Sequence, residues 1–562
     1  MAMSRLPRIA ADGRGLGIAK VAALAVGQAV AAGLAAFAMR DVFAALRDAS
    51  APLPVFALGQ IAAAGLVIAW LRVTERVAAE RIGQQYAGAL RLRLFAHLAR
   101  MSERAVGGRR AGALAMRFVG DLAAVRNWVS LGIARLISAG VVLPAATGVL
   151  FLLEPRLALA ASVPIVLGLA AMALAGPRLG PAHRRLRSRR ARLAADMLER
   201  VPHAPELRLL GRLDIETARV MRRTEALIES ALARASGAAT LRALPDLVSG
   251  VAAAALLLAA FRSGIPAAEA AGAMAALGLM IHPMRDLAGV WDRWRAWTIA
   301  RDKCASLLAA PTLDRRRRDA RSTPLADRPP RLCFAGVAAG ALCGLDIEAL
   351  PRQKIAIVGG NGAGKSTLLL LAAGLEQPHR GKVTLDGREP RDLSAGERRR
   401  MIALMSPRSP ILAGSLRRAL TMGSSRRCPD AEIAARACAF GLGDLLQRLG
   451  GLDGTLAEGG RNLSAGEARR VLLTRAALSG ARLLLLDEPD DALDADGADL
   501  VEAFVRAADA TVLLVTHGLA LARRMDLLWF VDQGRVIEAG KPDVLLRGDG
   551  PTARHFKPRS AA

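Results

Sequence analysis

The residues best suited to chemistry stand in the run GGNGAGKST, which is Gly359, Gly360, Asn361, Gly362, Ala363, Gly364, Lys365, Ser366 and Thr367. It follows the apolar residues 355–358 and opens into the leucines at 368–371, the order of strand, glycine loop and helix that a phosphate-binding loop requires. Glycines let backbone N–H groups close round phosphate oxygens with no Cβ in the way, and the helix that follows directs its positive end at the same anion. Lys365 has the reach for β- and γ-phosphates, and the Ser366 hydroxyl suits Mg²⁺. Further on, RLLLLDEP at 482–489 reads as a buried strand ending in two carboxylates. Asp487 would help hold Mg²⁺ and Glu488 would polarise an attacking water; the plainer alternative is that the two acids cap the next helix.

Elements that position these residues follow from the alternation of apolar strands with helical stretches from residue 331 onward, which predicts an α/β domain with a largely parallel sheet. The first half of the chain is different. Of the 562 residues 53% are hydrophobic, and long apolar runs, each near the length that crosses a bilayer, lie at 21–39, 53–71, 136–153 and 157–176. Two weaker runs follow at 247–261 and at 265–283, the last carrying Glu269 and His282, so the expectation is six spans. The alternative of buried helices in a soluble all-α domain fits poorly with four runs so long and so free of charge.

A net charge of +28 would fit a nucleic-acid binder, but the arginines cluster between the apolar runs and aromatic residues are only 3% of the chain, so no nucleic acid is expected as partner. The arginine-rich connections at 72–135 and 177–246 are instead cytoplasmic by the positive-inside rule, as is the N-terminus with Arg5, Arg8 and Arg14. The first run lacks a small-residue cleavage site and reads as a span, not a removed signal. Both long connections carry helical periodicity, so the spans should continue into the cytoplasm and turn back near 107–112 and 202–205. Trp291, Trp294 and Trp297 share one helix face and read as packing. The polar, proline-containing stretch 311–330 reads as a linker between a domain at 1–310 and another at 331–562. Cys304, Cys333, Cys343, Cys428 and Cys438 share no metal-ligand spacing and should be free thiols.

With these motifs in hand the chain resembles the ATP-binding cassette transporters, in particular the exporter-type half-transporters in which a six-helix membrane domain precedes one nucleotide-binding cassette. The resemblance covers nearly the whole length and rests on GGNGAGKST, NLSAGEARR at 462–470, LLLLDEPDDALD at 483–494 and VTHG at 515–518. It implies an all-α polytopic membrane domain with long cytoplasmic helical extensions, then an α/β P-loop ATPase. It further implies a multi-pass protein of the inner membrane with its cassette in the cytoplasm, ATP and Mg²⁺ as ligands, and a second half-transporter as partner. On this reading Ser464, Ala465 and Gly466 form the signature that contacts the γ-phosphate of ATP on the opposite cassette, through a helix N-terminus. His517 corresponds to the switch histidine, and Asp494 to the dimer-contact loop. A second LSAGE at 393–397 lies before a strand position and is read as a decoy.

Three departures from the family pattern stand out. Pro407 occupies the place of the usual glutamine loop residue; no aromatic precedes the phosphate loop where the family stacks one on adenine; and Glu467 ends the signature where glutamine is commoner. Phe334 falls too early to stack, and a carboxylate at 467 would repel phosphates unless turned away. The expected function is ATP-driven export of an unidentified substrate by a dimer, with a catalytically weaker half of a heterodimer as alternative. A soluble cassette ATPase acting on ribosomes or DNA would share the motifs but not the spans. Gln28, Gln60, Glu269, His282 and Arg285 are the polar residues in or near the spans.

Overall fold

The computed structural model describes residues 6–47, 52–109, 111–313 and 325–557. Most of the linker expected at 311–330, including Arg315 to Arg318, lies outside the described residues, as does Arg5. The chain forms two compact units, residues 1–99 with 108–310, and residues 100–107 with 311–562.

The first unit is helical. Its long elements include Arg14–Arg47, Val55–Leu98, Ala134–Leu153, Pro155–Ala175, Gly180–Arg200, Leu213–Arg262, Ala267–Ala288 and Val290–Leu308. Among the described residues five stretches are long and apolar enough to cross a membrane. The helix at the sixth expected span, Ala267–Ala288, is present with 22 residues, but it carries Glu269, His282, Arg285 and Asp286 and falls outside that group. At 1.5 Å per residue the 44-residue and 50-residue helices run about 66 and 75 Å, more than twice a ~30 Å hydrocarbon core. Helical extensions beyond the bilayer are therefore a matter of length alone. Helices pack through small residues: Ala36, Ala158, Ala161, Ala252, Ala273 and Ala276 are buried in one cluster with Leu157, Leu256 and Met280, the close approach expected where no hydrophobic driving force acts between helices.

The turns differ in detail from expectation. Val55–Leu98 ends before the glycines at 107–112, and the short helix Glu103–Gly107 belongs to the second unit. At the other turn a 3₁₀ segment Val201–His203 marks the prolines, but the chain reverses only at Gly211, whose φ of +64° suits a residue without Cβ. The tryptophan face packs as expected: Trp294 and Trp297 lie 5.0 and 5.5 Å from Trp128, itself on a π-helical stretch, Trp128–Ile133.

The second unit contains strands β1 (Leu332–Ala339), β2 (Leu342–Ala349), β3 (Lys354–Gly359), β4 (Arg380–Leu385), β5 (Ile402–Met405), β6 (Gly414–Ser415), β7 (Thr455–Leu456), β8 (Leu483–Asp487), β9 (Thr511–Val515), β10 (Leu527–Asp532) and β11 (Arg535–Gly540). The main sheet has the order β11-β10-β3-β9-β8-β5, parallel throughout except for the edge strand β11. Its central strands are apolar between their end residues because both faces are covered. Ile355, Ile357, Leu483, Leu485, Leu513 and Val515 fill one core, while Val358, Leu484, Leu486, Val512 and Leu514 fill the other. A separate antiparallel sheet, β2-β1-β4, was not anticipated from the sequence. All five cysteines are free, and among the described residues no group of three or more His, Cys, Asp or Glu side chains is arranged to hold a metal.

Candidate active site

Three neighbouring parallel strands, β3, β9 and β8, bring the sequence motifs to one edge of the main sheet, where Ile357 pairs with Val515 and Val515 with Asp487. Ligands gather at such carboxyl ends. The glycine loop leaves β3 with φ of +149° at Gly359, +79° at Gly362 and +108° at Gly364. A Cβ on Gly359 would strike the Val531 carbonyl, so close backbone approach, not flexibility, requires glycine there. Lys365 begins the helix Lys365–Ala372 and is 7% exposed; its Nζ donates to the carbonyls of Gly359 (2.8 Å) and Gly360 (3.1 Å). Burial pushes its pKa down, against the opposing pull of Glu488 and Asp487.

Asp487 is 6% exposed, and its carboxyl is pushed up by burial while a hydrogen bond from Ser366 acts the other way. Its Oδ1 is buried without a hydrogen-bond partner. A buried carboxylate oxygen with an unmet acceptor, beside a hydroxyl from the neighbouring helix, is the donor set that a hard divalent cation such as Mg²⁺ takes. Asp487 and Ser366 fit that ion. The alternative that the two acids cap a helix does not hold, because the next helix, Ala495–Ala507, is capped by Asp494, whose side chain accepts the Gly497 N–H at 3.0 Å.

Glu488 has φ of +53°, a conformation that costs a non-glycine residue about 1 kcal/mol or more. The strain is held by the bond from its N–H to the Val515 carbonyl at 2.9 Å, which ties the end of β8 to the end of β9. It turns the carboxylate toward His517, whose Nε2 is 3.3 Å from Glu488 Oε1. Both side chains are partly open to solvent. The pairing comes from strand adjacency that no local spacing shows.

The signature stretch caps the 15-residue helix Ala465–Ser479. Ser464 Oγ accepts the Glu467 N–H (3.1 Å), and the Glu467 carboxylate accepts the Ser464 N–H (2.8 Å). Arg448 also donates to Glu467 at 2.8 Å. The carboxylate at 467 is thus folded back and neutralised, which removes the repulsion raised by its sequence position. Ser464 and Ala465 remain exposed. Arg469 and Arg470 join this helix to the loop beyond Glu488, through Asp491 (3.0 Å) and Asp494 (3.1 Å).

The other departures are also placed. Pro407 sits in a turn closed by Ser406 and Ser409, and Arg408 beside it lies 3.9 Å from Glu103. Phe334 is 1% exposed within β1, paired with Ile347 and Val383, and cannot reach the phosphate loop's surface. Instead the β1–β2 turn abuts the loop: a Cβ on Gly364 would lie 3.1 Å from Leu342 Cγ and 3.9 Å from Ala341 Cβ.

In the first unit a cavity of about 210 Å³ is lined by Gln28, Arg72, Glu75, Arg76, Arg135, His282 and Asp286 among others. Gln28 donates to Glu75 at 2.5 Å, and Arg135 pairs with Asp286. Of the five polar residues singled out in or near the spans, Gln28 and His282 line the cavity. Gln60 instead bonds the Leu34 carbonyl, Arg285 pairs with Asp246 and Glu269 begins a helix. Arg72 and Arg76 were missed because they stand past an apolar run; their signal, shared with Glu75 and Ala79, is the spacing 72, 75, 76 and 79, one face of a helix.

Two family models match the chain: that of the ABC transporter transmembrane region over residues 19–264 and that of the ABC transporter over residues 342–491. The chain belongs to the ABC transporters. This ABC transporter is a multi-pass membrane protein with its cassette fused behind the membrane helices. It is 34% identical over 307 residues to the mycobactin import ATP-binding/permease protein IrtB of Mycolicibacterium thermoresistibile, covering 53% of this chain and 52% of that one. It is 32% identical over 233 residues to the ATP-dependent lipid A-core flippase of Thiobacillus denitrificans, covering 41% and 40%. The matched stretch thus spans about half the length of these relatives, or less. Its fold is similar to that of a bacterial Atm1-family ABC exporter with ATP bound, with a TM-score of 0.83 over 98% of each chain at 21% identity.

Proposed function

We propose that this chain is one half of a dimeric exporter of the inner membrane that couples ATP hydrolysis to alternating access, with residues 1–310 as the membrane domain and 331–562 as the cassette in the cytoplasm. The observation that carries the chemistry is the convergence of Lys365, Asp487, Glu488 and His517 at the ends of three adjacent strands. Gly359 to Thr367 cradle the phosphates through backbone N–H groups, and Lys365 turns from its loop carbonyls to the β- and γ-oxygens. Mg²⁺ held by Ser366 and Asp487 would supply charge neutralisation between those phosphates. Glu488 polarises the attacking water, and His517, within hydrogen-bonding range of Glu488, orients it and contacts the γ-phosphate. Ser464, Ala465 and Gly466 of the second half-transporter would complete the site from the far side. The polar cavity in the membrane unit is the place where the geometry supports a substrate contact. Export follows from the resemblance to exporter-type half-transporters and the name of the solved structure of like fold; the relative named for import makes direction a matter for vesicle transport assays.

Glu488→Gln in the purified full chain should retain ATP binding and lower turnover at least about tenfold, the range for removing a general base. An unchanged rate overturns the assignment. A second reading, the catalytically weaker half of a heterodimer, is favoured by Pro407 and by the lack of an aromatic beside the loop; a different chain co-purifying from the native membrane would establish it. The five helices among the described residues that are long and apolar enough to span a membrane leave no support for a soluble cassette protein.

A further inference from the structure

The β1–β2 turn that abuts the phosphate loop carries no aromatic, yet it is not bare. Gly340, at φ +58°, heads the turn, and a Cβ on it would meet the guanidinium of Arg104. Arg104 comes from the short helix Glu103–Gly107, which is distant in sequence but belongs to the same compact unit. That segment is pinned. The Glu103 N–H donates to the Leu375 carbonyl at 3.1 Å, just past the helix that starts in the phosphate loop. The Leu313 N–H donates to the Arg100 carbonyl at 2.6 Å, and Ser102 Oγ accepts the Ala105 N–H at 3.2 Å. Among the described residues no anion or acceptor takes the Arg104 guanidinium, and the side chain is exposed. The end of the guanidinium lies against glycine, and the side chain is open to solvent.

We propose that Arg104 supplies the base contact of the nucleotide site, its guanidinium serving as the stacking surface that the turn lacks; this rests on the phosphate-loop reading above. The phosphates occupy the inner side of Gly364, against Lys365, and the base lies at the opposite end of the nucleotide. Ala341 and Leu342 fill the contact with Gly364, so the next surface outward on that turn is Gly340 with Arg104 upon it. A guanidinium is planar and delocalised and stacks on an aromatic face as readily as it pairs with a carboxylate. Glycine at 340 serves two needs, the left-handed turn and the room for the guanidinium. The contact recognises a π-face and not an edge pattern, so adenine and guanine should be held alike.

The test measures equilibrium binding to the full-length protein in the Glu488→Gln background, with ATP, GTP and inorganic tripolyphosphate as probes. Arg104→Ala should weaken ATP and GTP binding about tenfold each, within the span of a lost base stack, and leave tripolyphosphate binding within about twofold. Arg104→Tyr should restore most of the loss. Equal losses for all three probes would mean that Arg104 acts on the phosphates or the fold and would overturn the proposal, as would no loss for ATP. Lys365→Ala serves as the separate control: if it leaves tripolyphosphate binding unchanged, the phosphate-loop reading itself fails, whatever Arg104 does.

Discussion

The same five residues, LSAGE, occur at 393–397 and 463–467, and the two copies fold alike. In each the serine hydroxyl accepts the glutamate N–H, at 3.2 and 3.1 Å, and the glutamate accepts the serine N–H, at 2.7 and 2.8 Å. In each an arginine from outside the motif, Arg388 or Arg448, donates to that glutamate at 2.8 Å. The difference is in what lies around the cap. Glu397 is 4% exposed, Leu393 is fully buried, and the helix Ala395–Met401 has seven residues before it runs into β5. Ser464 is exposed at the head of a 15-residue helix that leads to β8, the strand ending at Asp487. The string therefore encodes a helix start. Openness, helix length and proximity to the acidic strand distinguish the two starts, and under the proposed function it is the one at Ser464 that faces a phosphate.

The sharpest way to break this comparison is to remove the two serine hydroxyls in turn. Ser464→Ala should lower ATPase turnover about tenfold to a hundredfold, the scale for losing one preorganised donor to developing phosphate charge. Ser394→Ala should leave turnover within about twofold. Measured in the same membranes, the reverse ranking would assign the signature to 393–397. The glutamates should rank the other way for stability. Glu397→Ala removes the carboxylate to which Arg388, 18% exposed, donates and should cost about 2 kcal/mol, whereas Glu467→Ala removes the partner of an Arg448 that is 53% exposed and should cost about half as much. Denaturant midpoints of the cassette decide, and equal losses would mean that the two contexts do not differ.

How far the sequence foretold this arrangement depends on whether a feature is local. The glycine loop and the strand ending in Asp487 and Glu488 are set by consecutive residues, and both stand where spacing places them. The capping boxes are equally local, which is why LSAGE alone could not separate the two copies; position relative to the acidic strand did so. The contact of Glu488 with His517 needs β8 beside β9, a long-range fact; the family resemblance gave each residue a role but not their contact. The pinning of residues 100–107 into the cassette unit had no sequence signal, because the residues that hold it, Leu313 and Leu375, do so with backbone atoms. The antiparallel sheet was missed for a related reason: β1 is rich in alanine and glycine and its pairing with β2 carries bulges, which blurs the alternation of buried and exposed positions.

A smaller effect concerns the cap itself. Ser394→Ala removes the acceptor of one N–H at the start of a short helix and should cost about 1 kcal/mol, with turnover unaffected. Because Ser464 is solvent-exposed, water can replace its lost bond, so the same change there should cost stability less while costing turnover more. A double readout on both variants, midpoint and rate, would separate capping from phosphate contact.

The mildest perturbation is acid, and its sign follows from how each glutamate is held. The hydrogen bond from Arg388 lowers the Glu397 carboxyl to about 2; burial acts against it, and the bonds to Ser394 add to the lowering. Glu467 is also lowered: burial pushes it up, but the Ser464 N–H and Arg448 outweigh that. A carboxylate whose folded pKa lies below its unfolded value stabilises fully above the unfolded value, near 4.5, and loses that contribution as the pH falls toward the folded one. At pH 7 the Glu397 contribution is therefore complete; it should shrink by about 1 kcal/mol between pH 5 and pH 3.5, where the unfolded chain takes up a proton and the folded one does not. The measurement is the difference in denaturant midpoint between the parent and Glu397→Gln, followed across that window. A narrowing gap for Glu397 is expected. A gap that stays constant means that Glu397 is not held charged by Arg388, and the buried copy of the motif would then differ from the exposed one in packing alone.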